Sequence, residues 1–319
     1  MNYKSVLNAL KRHKKFLVST HVNPDPDALC SQMAIAMLLR SWGKTVTVVN
    51  HTALPERFRF LPHINHIKVY HEHMKVDYDV ALVVDCGGLD RIGKVSGLLQ
   101  KGKLLINIDH HITNDHFGNI NLVNSRASST CEILYELIKQ GKFALDKTIA
   151  LYLYAGIMTD TGSFRYENTT PRTFFIVSEL KRFSFSATEL YRKFYESIPL
   201  SDLKEFTKIL SHFNSCQNGK VVVVRLSKRL LRKFSQEFDL RDAIFKFLRA
   251  IKGVEVLMIL SEAGKRQTRV NFRSSGKVNV AQLAHRFGGG GHHNASGCLI
   301  EKNIKAAEKS ILKIVERLV

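Results

Sequence analysis

Four apolar runs in the first half of the chain each lead into an aspartate or a histidine, and this arrangement restricts the fold more than any other feature. The runs are Phe16-Leu17-Val18-Ser19, Ala81-Leu82-Val83-Val84, Leu104-Leu105-Ile106-Asn107-Ile108 and Ala150 to Met158. They deliver His21-Val22-Asn23-Pro24-Asp25-Pro26-Asp27, then Asp85, then Asp109-His110-His111, then Asp160. Strands are predicted at Phe16–Thr20, Thr45–Asn50, Val80–Asp85 and Leu104–Asp109. A helix is predicted from Ala28 to Trp42, where Leu29, Met33, Ala36 and Met37 recur at helical spacing. Two more are predicted at Ser129–Gln140 and Lys147–Thr159. Continuous apolar strands separated by helices read as a parallel sheet covered on both faces. Ligands of such sheets collect at the carboxyl ends of the strands. His21, Asp85 and Asp109 all fall there.

Carboxylates and imidazoles at the ends of apolar elements need compensation for their burial. Two divalent cations would supply it. Pro24 and Pro26 stiffen their loop, so Asp25 and Asp27 are held at a set separation and are able to face different ions. Asp85, at a strand end between them, is placed to bridge both, and His110 and Asp160 to complete the second. Oxygen donors mixed with neutral imidazole suit manganese or a similar divalent ion better than a thiolate-preferring one.

The length of 319 residues favours two domains. With 45% hydrophobic and 24% charged residues the chain has an ordinary globular balance and the means to bury a core. No apolar run approaches the roughly 20 residues needed to span a bilayer, and the run after the basic N-terminus is too short for a signal sequence. The five cysteines are scattered without a Cys-x-x-Cys pair, so reduced core thiols and a cytoplasmic location are expected. The net charge is +20, and from Glu196 onward 23 Lys+Arg face 11 Asp+Glu. A basic C-terminal half suits a polyanionic partner as well as it suits a solvated surface.

The stretch from Pro171 to about Phe213 is helical and amphipathic in pattern. A second α/β unit begins near Lys220 with Val221-Val222-Val223-Val224. It continues through Val254–Ser261 and Thr268–Arg273 to the glycine run at Gly288, and a helix from about Asn303 to Leu318 closes it. Domain boundaries are therefore expected at 1–190, a helical linker at 191–216, and 217–319.

At this point the chain resembles the DHH phosphoesterase superfamily, named for the triplet seen here as Asp109-His110-His111. His-Val-Asn-Pro-Asp-Pro-Asp is similar to its first motif, Val-Val-Asp-Cys-Gly to its second, and Thr159-Asp160-Thr161-Gly162-Ser163-Phe164 to its fourth. Gly288-Gly289-Gly290-Gly291-His292-His293-Asn294-Ala295-Ser296-Gly297 resembles the glycine-rich motif of the DHH-associated domain. The resemblance covers nearly the whole chain and is strongest to the nano-RNase, oligoribonuclease and 3′-phosphoadenosine 5′-phosphate phosphatase branch.

The resemblance implies an α/β protein with a parallel-sheet, Rossmann-like N-terminal DHH domain, a helical linker and a smaller C-terminal α/β DHH-associated domain. It implies that His21, Asp25 and Asp85 hold one Mn2+, and that Asp27, Asp85, His110 and Asp160 hold the other. Other divalent cations are compatible with these donors. His111 is expected against the substrate phosphate, which makes His111, Asp85 and His110 the catalytic candidates. The implied activity is hydrolysis of short oligonucleotides (nano-RNA and dinucleotides) to mononucleotides by hydroxide generated between the two ions. The alternatives are a 3′-phosphoadenosine 5′-phosphate phosphatase and a cyclic or linear dinucleotide phosphodiesterase; a long single-strand exonuclease and a non-catalytic nucleic-acid binder rank below them. Short RNA or DNA and nucleotides are the expected partners, with no membrane. The sequence leaves the oligomeric state open, a homodimer included.

The glycine run also has a physical reading. Successive glycines turn N–H groups toward an anion, and Arg273 and His292 add donors. Arg273, Gly289, Gly290, Gly291 and His292 are therefore the substrate-binding candidates, gripping the far end of the substrate across an interdomain cleft. Elsewhere, Arg126 to Thr130 reads either as a phosphate site at a helix start or as simple capping by Ser128 or Ser129. His71-Glu72-His73 reads as a solvated turn, Lys11 to Lys15 as a charged helix end, and Phe174, Phe175, Tyr191, Phe194 and Tyr195 as packing of the linker.

Overall fold

The computed structural model describes residues 2–235 and 237–319, which divide into two compact units, 1–194 and 195–319. The first unit is built on six strands: β1 (Lys15–Ser19), β2 (Thr45–Asn50), β3 (Ile67–Val69), β4 (Val80–Val84), β5 (Leu104–Asp109) and β6 (Ile120–Val123). All pair in parallel, in the order β3-β2-β1-β4-β5-β6. The strand order reverses beside β1, whose two neighbours are β2 and β4. Loops leaving β1 and β4 part at that point and open a crevice at the carboxyl edge.

Six helices accompany the sheet: α1 (Tyr3–Arg12), α2 (Pro26–Ser41), α3 (Thr130–Gln140), α4 (Lys147–Asp160), α5 (Pro171–Leu180) and α6 (Ala187–Tyr195). The division between the units falls within α6. Helix α2 starts two residues before its apolar pattern does. The Asp25 side chain accepts from the Ala28 N–H at 3.0 Å, and Pro26 occupies the first helical position. There its missing N–H costs nothing and its fixed φ suits the helix. Nearly every residue of α2 from Asp27 to Leu39 is buried, and so is all of β4. Hence both read as continuous apolar runs.

The short strands β3 and β6 escape the sequence pattern because edge strands of three and four residues carry little periodicity. Four of the five cysteines, Cys30, Cys86, Cys131 and Cys298, are buried; Cys216 is partly exposed, and all five are free thiols.

The second unit carries α7 (Leu200–Leu210), β7 (Asn214–Cys216), β8 (Val221–Leu226), α8 (Lys228–Leu231), α9 (Leu240–Leu248), β9 (Val256–Gly264), β10 (Gln267–Ser274), α10 (Val280–His285), β11 (Gly290–His292), β12 (Ala295–Ile300) and α11 (Ile304–Val315). Its sheet runs β11-β12-β10-β9-β8-β7, with only β8 and β9 parallel. Alternate valines of β8 serve opposite layers. Val221 and Val223 join the core with Ile311 and Val315 of α11, while Val222 and Val224 join Phe206 of α7 and Ile244 of α9. Burial on both faces explains the unbroken valine run. Phe206 is fully buried there, so α7 is part of the second unit's core.

One close approach in the first unit ties the fold to its carboxyl edge. A Cβ on Gly156 of α4 would lie 2.3 Å from Cys131 Sγ and 2.5 Å from Asp27 Oδ1. Only glycine lets α4 pack this tightly against α2 and α3. Gly156→Ala is expected to lower stability by about 1–3 kcal/mol, the usual cost of overpacking. Urea denaturation measures it; an unchanged midpoint would show that the neighbouring helices separate freely.

Candidate metal centre

The carboxyl edge of the first sheet gathers residues from four stretches of chain. His21 lies two residues past β1, Asp85 directly follows β4, His110 and His111 directly follow β5, and Asp160 is the last residue of α4. Asp25 and Asp27 stand at the start of α2. Asp85 adopts φ +52°, the left-handed region, while its N–H still bonds Ile108 O of the neighbouring strand at 2.9 Å. A non-glycine residue held in that region is strained. The strain turns the Asp85 side chain away from the strand alternation and into the crevice.

Three ligand groups result: His21, Asp25 and Asp85; Asp27, His110 and Asp160; and Asp85, His110 and His111. His21 Nε2 lies 3.7 Å from Asp85 Oδ2 and 4.0 Å from Asp25 Oδ2. His110 Nε2 lies 3.6 Å from both Asp85 Oδ1 and Asp160 Oδ2. These separations exceed a hydrogen bond. They match donors facing one cation, because metal bonds of about 2.1 Å put neighbouring ligand atoms about 3 to 4 Å apart. Asp85 presents one oxygen toward His21 and the other toward His110.

Charge makes the same point. Asp27 and Asp85 are almost fully buried, yet among the described residues no lysine or arginine forms an ion pair with Asp25, Asp27, Asp85 or Asp160. Burial, with the charges of Asp85 and Asp160 behind it, pushes the Asp27 carboxyl well above its usual range. Burial and the charges of Asp25 and Asp85 do the same to Asp160. Burial would lower the imidazoles of His21 and His110, but the surrounding carboxylates outweigh it and hold both above their ordinary value. Burial likewise opposes ionisation of Asp85, but the neighbouring imidazoles of His21, His111 and His110 hold it well below the normal range. Four carboxylates and two imidazoles with no basic side chain among them fit divalent cations.

His111 is placed differently from His110. Its Nδ1 lies 2.7 Å from Asp109 Oδ1, and Asn114 Nδ2 donates to the other Asp109 oxygen at 2.6 Å. The fully buried Asp109 thus fixes the orientation of the ring. Its partners hold Asp109 below the usual carboxylate range against its burial, and the same contact holds His111 above its ordinary value. The sequence placed Asp109 at this edge without a role and did not single out Asn114. Their signal was present only as the first letter of the triplet and an asparagine five residues on.

The start of α3 settles another reading. Ser129 is the N-cap and accepts from Glu132 N–H, while the N–H groups of Thr130 and Cys131 both go to the Asp27 carboxylate, at 2.8 and 3.3 Å. Those first-turn donors serve a carboxylate of this chain, so the capping reading holds and the phosphate reading does not. His71 and His73 are exposed and belong to none of the ligand groups among the described residues. Phe174 and Phe175 are about half exposed on α5, and the Phe174 ring meets that of Phe164 at 6.0 Å. Phe194, by contrast, packs against Phe58 and Phe60.

In the second unit the substrate-binding candidates share a row. Arg273 of β10 is opposite Ala295 of β12, and Ala295 is opposite His292 of β11. Paired residues of antiparallel strands project to one face, so Arg273 and His292 stand on the same side about 10 Å apart. The Arg273 guanidinium stacks over the Phe245 ring at 4.6 Å. The glycines between them serve proximity first. A Cβ on Gly291, at φ +141°, would lie 2.5 Å from Ala295 O, and one on Gly289 would lie 2.2 Å from Gly297 O. Gly290 is exposed with open space above it.

Comparison with known proteins agrees with this geometry. Residues 15–157 match the model of the DHH family, N-terminal domain, and residues 218–319 match the DHHA1 domain. The probable bifunctional oligoribonuclease and PAP phosphatase NrnA of Streptococcus mutans is 33% identical over 299 residues, covering 92% of both chains. The bifunctional oligoribonuclease and PAP phosphatase NrnA of Bacillus subtilis is 32% identical, again over 92% of both. The crystal structure of an exopolyphosphatase-related protein from Bacteroides fragilis superposes with a TM-score of 0.89 at 27% identity, covering 99% of this chain and 95% of that one. With the motifs in order along the sequence and their side chains gathered at one sheet edge, the chain belongs to the DHH family.

Proposed function

We propose that this protein is a phosphoester hydrolase that cleaves short oligonucleotides to mononucleotides and also dephosphorylates 3′-phosphoadenosine 5′-phosphate. The observation that carries this reading is the convergence of Asp25, Asp27, Asp85 and Asp160 with His21 and His110, without a basic side chain to neutralise them. Relatives covering nearly the same length and named for both activities support the choice of substrates. The second activity follows from the same chemistry, since both substrates present a phosphoester to the same cluster.

His21, Asp25 and Asp85 would hold one Mn2+, and Asp27, Asp85, His110 and Asp160 the other. When bound, such a pair lowers the pKa of water and withdraws charge from a phosphoryl oxygen. The remaining work belongs to the protein. Asp85, with an oxygen toward each imidazole, fixes the spacing of the pair. His111, oriented by Asp109, which also raises its pKa, would face a phosphate oxygen through Nε2 and stabilise the charge that builds there. Hydrolysis adds water across the P–O bond, the hydroxyl going to phosphorus and the proton to the leaving oxygen. In the second unit Arg273, His292 and the exposed backbone at Gly290 would take a terminal phosphate or base edge of the substrate.

The metal assignment is tested by metal analysis with activity. The protein is expected to hold about two Mn2+ per chain, and Asp85→Ala to abolish turnover. His110→Ala should lose metal and activity together, whereas His111→Ala should lose turnover and keep most of its metal. Equal metal retention by the two histidine variants would reverse their roles.

Proton release gives an independent check. In the metal-free cluster the carboxylates raise the pKa values of His21 and His110, and burial with neighbouring carboxylates raises those of Asp27 and Asp160. Metal ligation requires neutral imidazoles and ionised carboxylates. Mn2+ loading should therefore release protons, and affinity should fall as pH is lowered through the imidazole range. Calorimetric titration in two buffers of different ionisation enthalpy reads this directly; identical heats in both would contradict it.

For the second unit, removing a charge-assisted contact costs about 1.5–3 kcal/mol, or roughly tenfold to hundredfold. Arg273→Ala should slow dinucleotide cleavage by that factor and leave a small artificial phosphodiester nearly unaffected. Some of the loss should appear in kcat, because remote binding energy orients the reacting bond. Equal slowing of both substrates would make Arg273 structural.

A further inference from the structure

Thr130, the last residue of the Arg126 to Thr130 segment, is fully buried at the first position of α3 and addresses two carboxylates at once. Its N–H donates to Asp27 Oδ2 at 2.8 Å, and its hydroxyl donates to Asp85 Oδ1 at 2.8 Å. These carboxylates come from different loops of the crevice and belong to different ligand groups of the cluster. Both distances are those of good hydrogen bonds.

We infer that Thr130 is a positioning residue for the metal centre: its hydroxyl sets the orientation of Asp85, and its backbone holds Asp27 alongside. The inference rests on the metal-centre reading above. Three physical points carry it. The terminal torsion of an aspartate is broad, so Asp85 needs a donor to select which oxygen faces which histidine. The Thr130 hydroxyl occupies one lone pair of Oδ1 and leaves the second oxygen and the remaining lone pair for cations. A hydroxyl and an amide are neutral, so they steady two mutually repelling carboxylates without competing with a cation for the site, as a lysine or arginine would.

Thr130 is itself held. The Ser129 side chain caps α3 through Glu132 N–H at 3.1 Å. The buried Glu132 carboxylate accepts from Ser128 Oγ at 2.6 Å and from Thr173 Oγ1 of α5 at 3.0 Å. Asn168 Nδ2 donates to Ser128 O at 2.9 Å and to Asp160 O at 3.2 Å. One polar network therefore runs from the segment before Thr130 to the main chain of Asp160 at the far side of the cluster.

The test uses metal-free full-length protein titrated with Mn2+, with free ion followed by electron paramagnetic resonance, and thermal unfolding of each metal-free form. Thr130→Val keeps the shape and the N–H but removes the hydroxyl. It is expected to weaken Mn2+ binding about tenfold to hundredfold, the usual effect of losing a partner of a metal ligand. Its metal-free melting temperature should stay close to that of the parent. Thr130→Ser, which restores the hydroxyl, should restore affinity. Wild-type affinity in Thr130→Val overturns the inference, as does a Thr130→Ser variant as weak as Thr130→Val, which would assign the effect to the methyl group. A parallel Asp85→Ala titration separates the two levels. If it binds Mn2+ as the parent does, the metal centre is wrong and the inference falls with it; if it loses binding while Thr130→Val does not, the inference alone fails. Should Thr130→Val not fold, Thr130→Ala lacks the same hydroxyl and carries the same expectation.

Discussion

Bringing four carboxylates to one point without a basic side chain is the constraint on which the first unit depends. Repulsion among them grows as water is excluded, so each must be gripped by something that adds no positive charge of its own. Backbone and neutral side-chain donors hold three of them. Asp25 accepts from the amide of Ala28, Asp27 from two amides at the start of α3, and Asp85 from a threonine hydroxyl. The imidazoles stand between the carboxylates and share their field. Much of the architecture follows. Helix α3 has to begin beside Asp27, α4 has to approach closely enough that only Gly156 fits, and β4 has to end on a residue in the left-handed region.

The second unit solves a different problem. Three strands, rather than one loop, bring Arg273, Ala295 and His292 into register. Gly289 and Gly291 let β11 lie against β12, and the backbone between them is left accessible at Gly290. The glycine run is thus a packing device before it is a binding one.

Central parts of this molecule are legible in sequence because burial writes them there. Strands β1, β4, β5 and β8 are buried on both faces and appear as unbroken apolar runs. The ligand candidates stand where those runs stop, and their resemblance to a known order of motifs carries the rest. Less legible is what depends on contacts between distant segments. Nothing local marks Thr130 as the partner of Asp27 and Asp85, because its meaning comes from residues 103 and 45 positions away. Asp109 is visible as part of a triplet, but its service to His111 rather than to an ion follows from a 2.7 Å contact that no spacing specifies. The edge strands β3, β6 and β11 are too short to show a period, and the exposed rings of Phe174 and Phe175 mimic buried packing in composition alone.

The amides of α3 that hold Asp27 have a consequence for the order of events during synthesis. The ligand groups draw on positions from His21 to Asp160, and Asp27 is gripped by residues more than 100 positions later. Unlike a small metal-binding finger, whose donors lie within one short segment, this cluster does not exist in any early fragment of the chain. It forms only once α4 has emerged from the ribosome and closed over α2 and α3. Domains made first generally fold first. Every donor of the cluster lies within the first unit, so assembling it calls on no residue of 195–319.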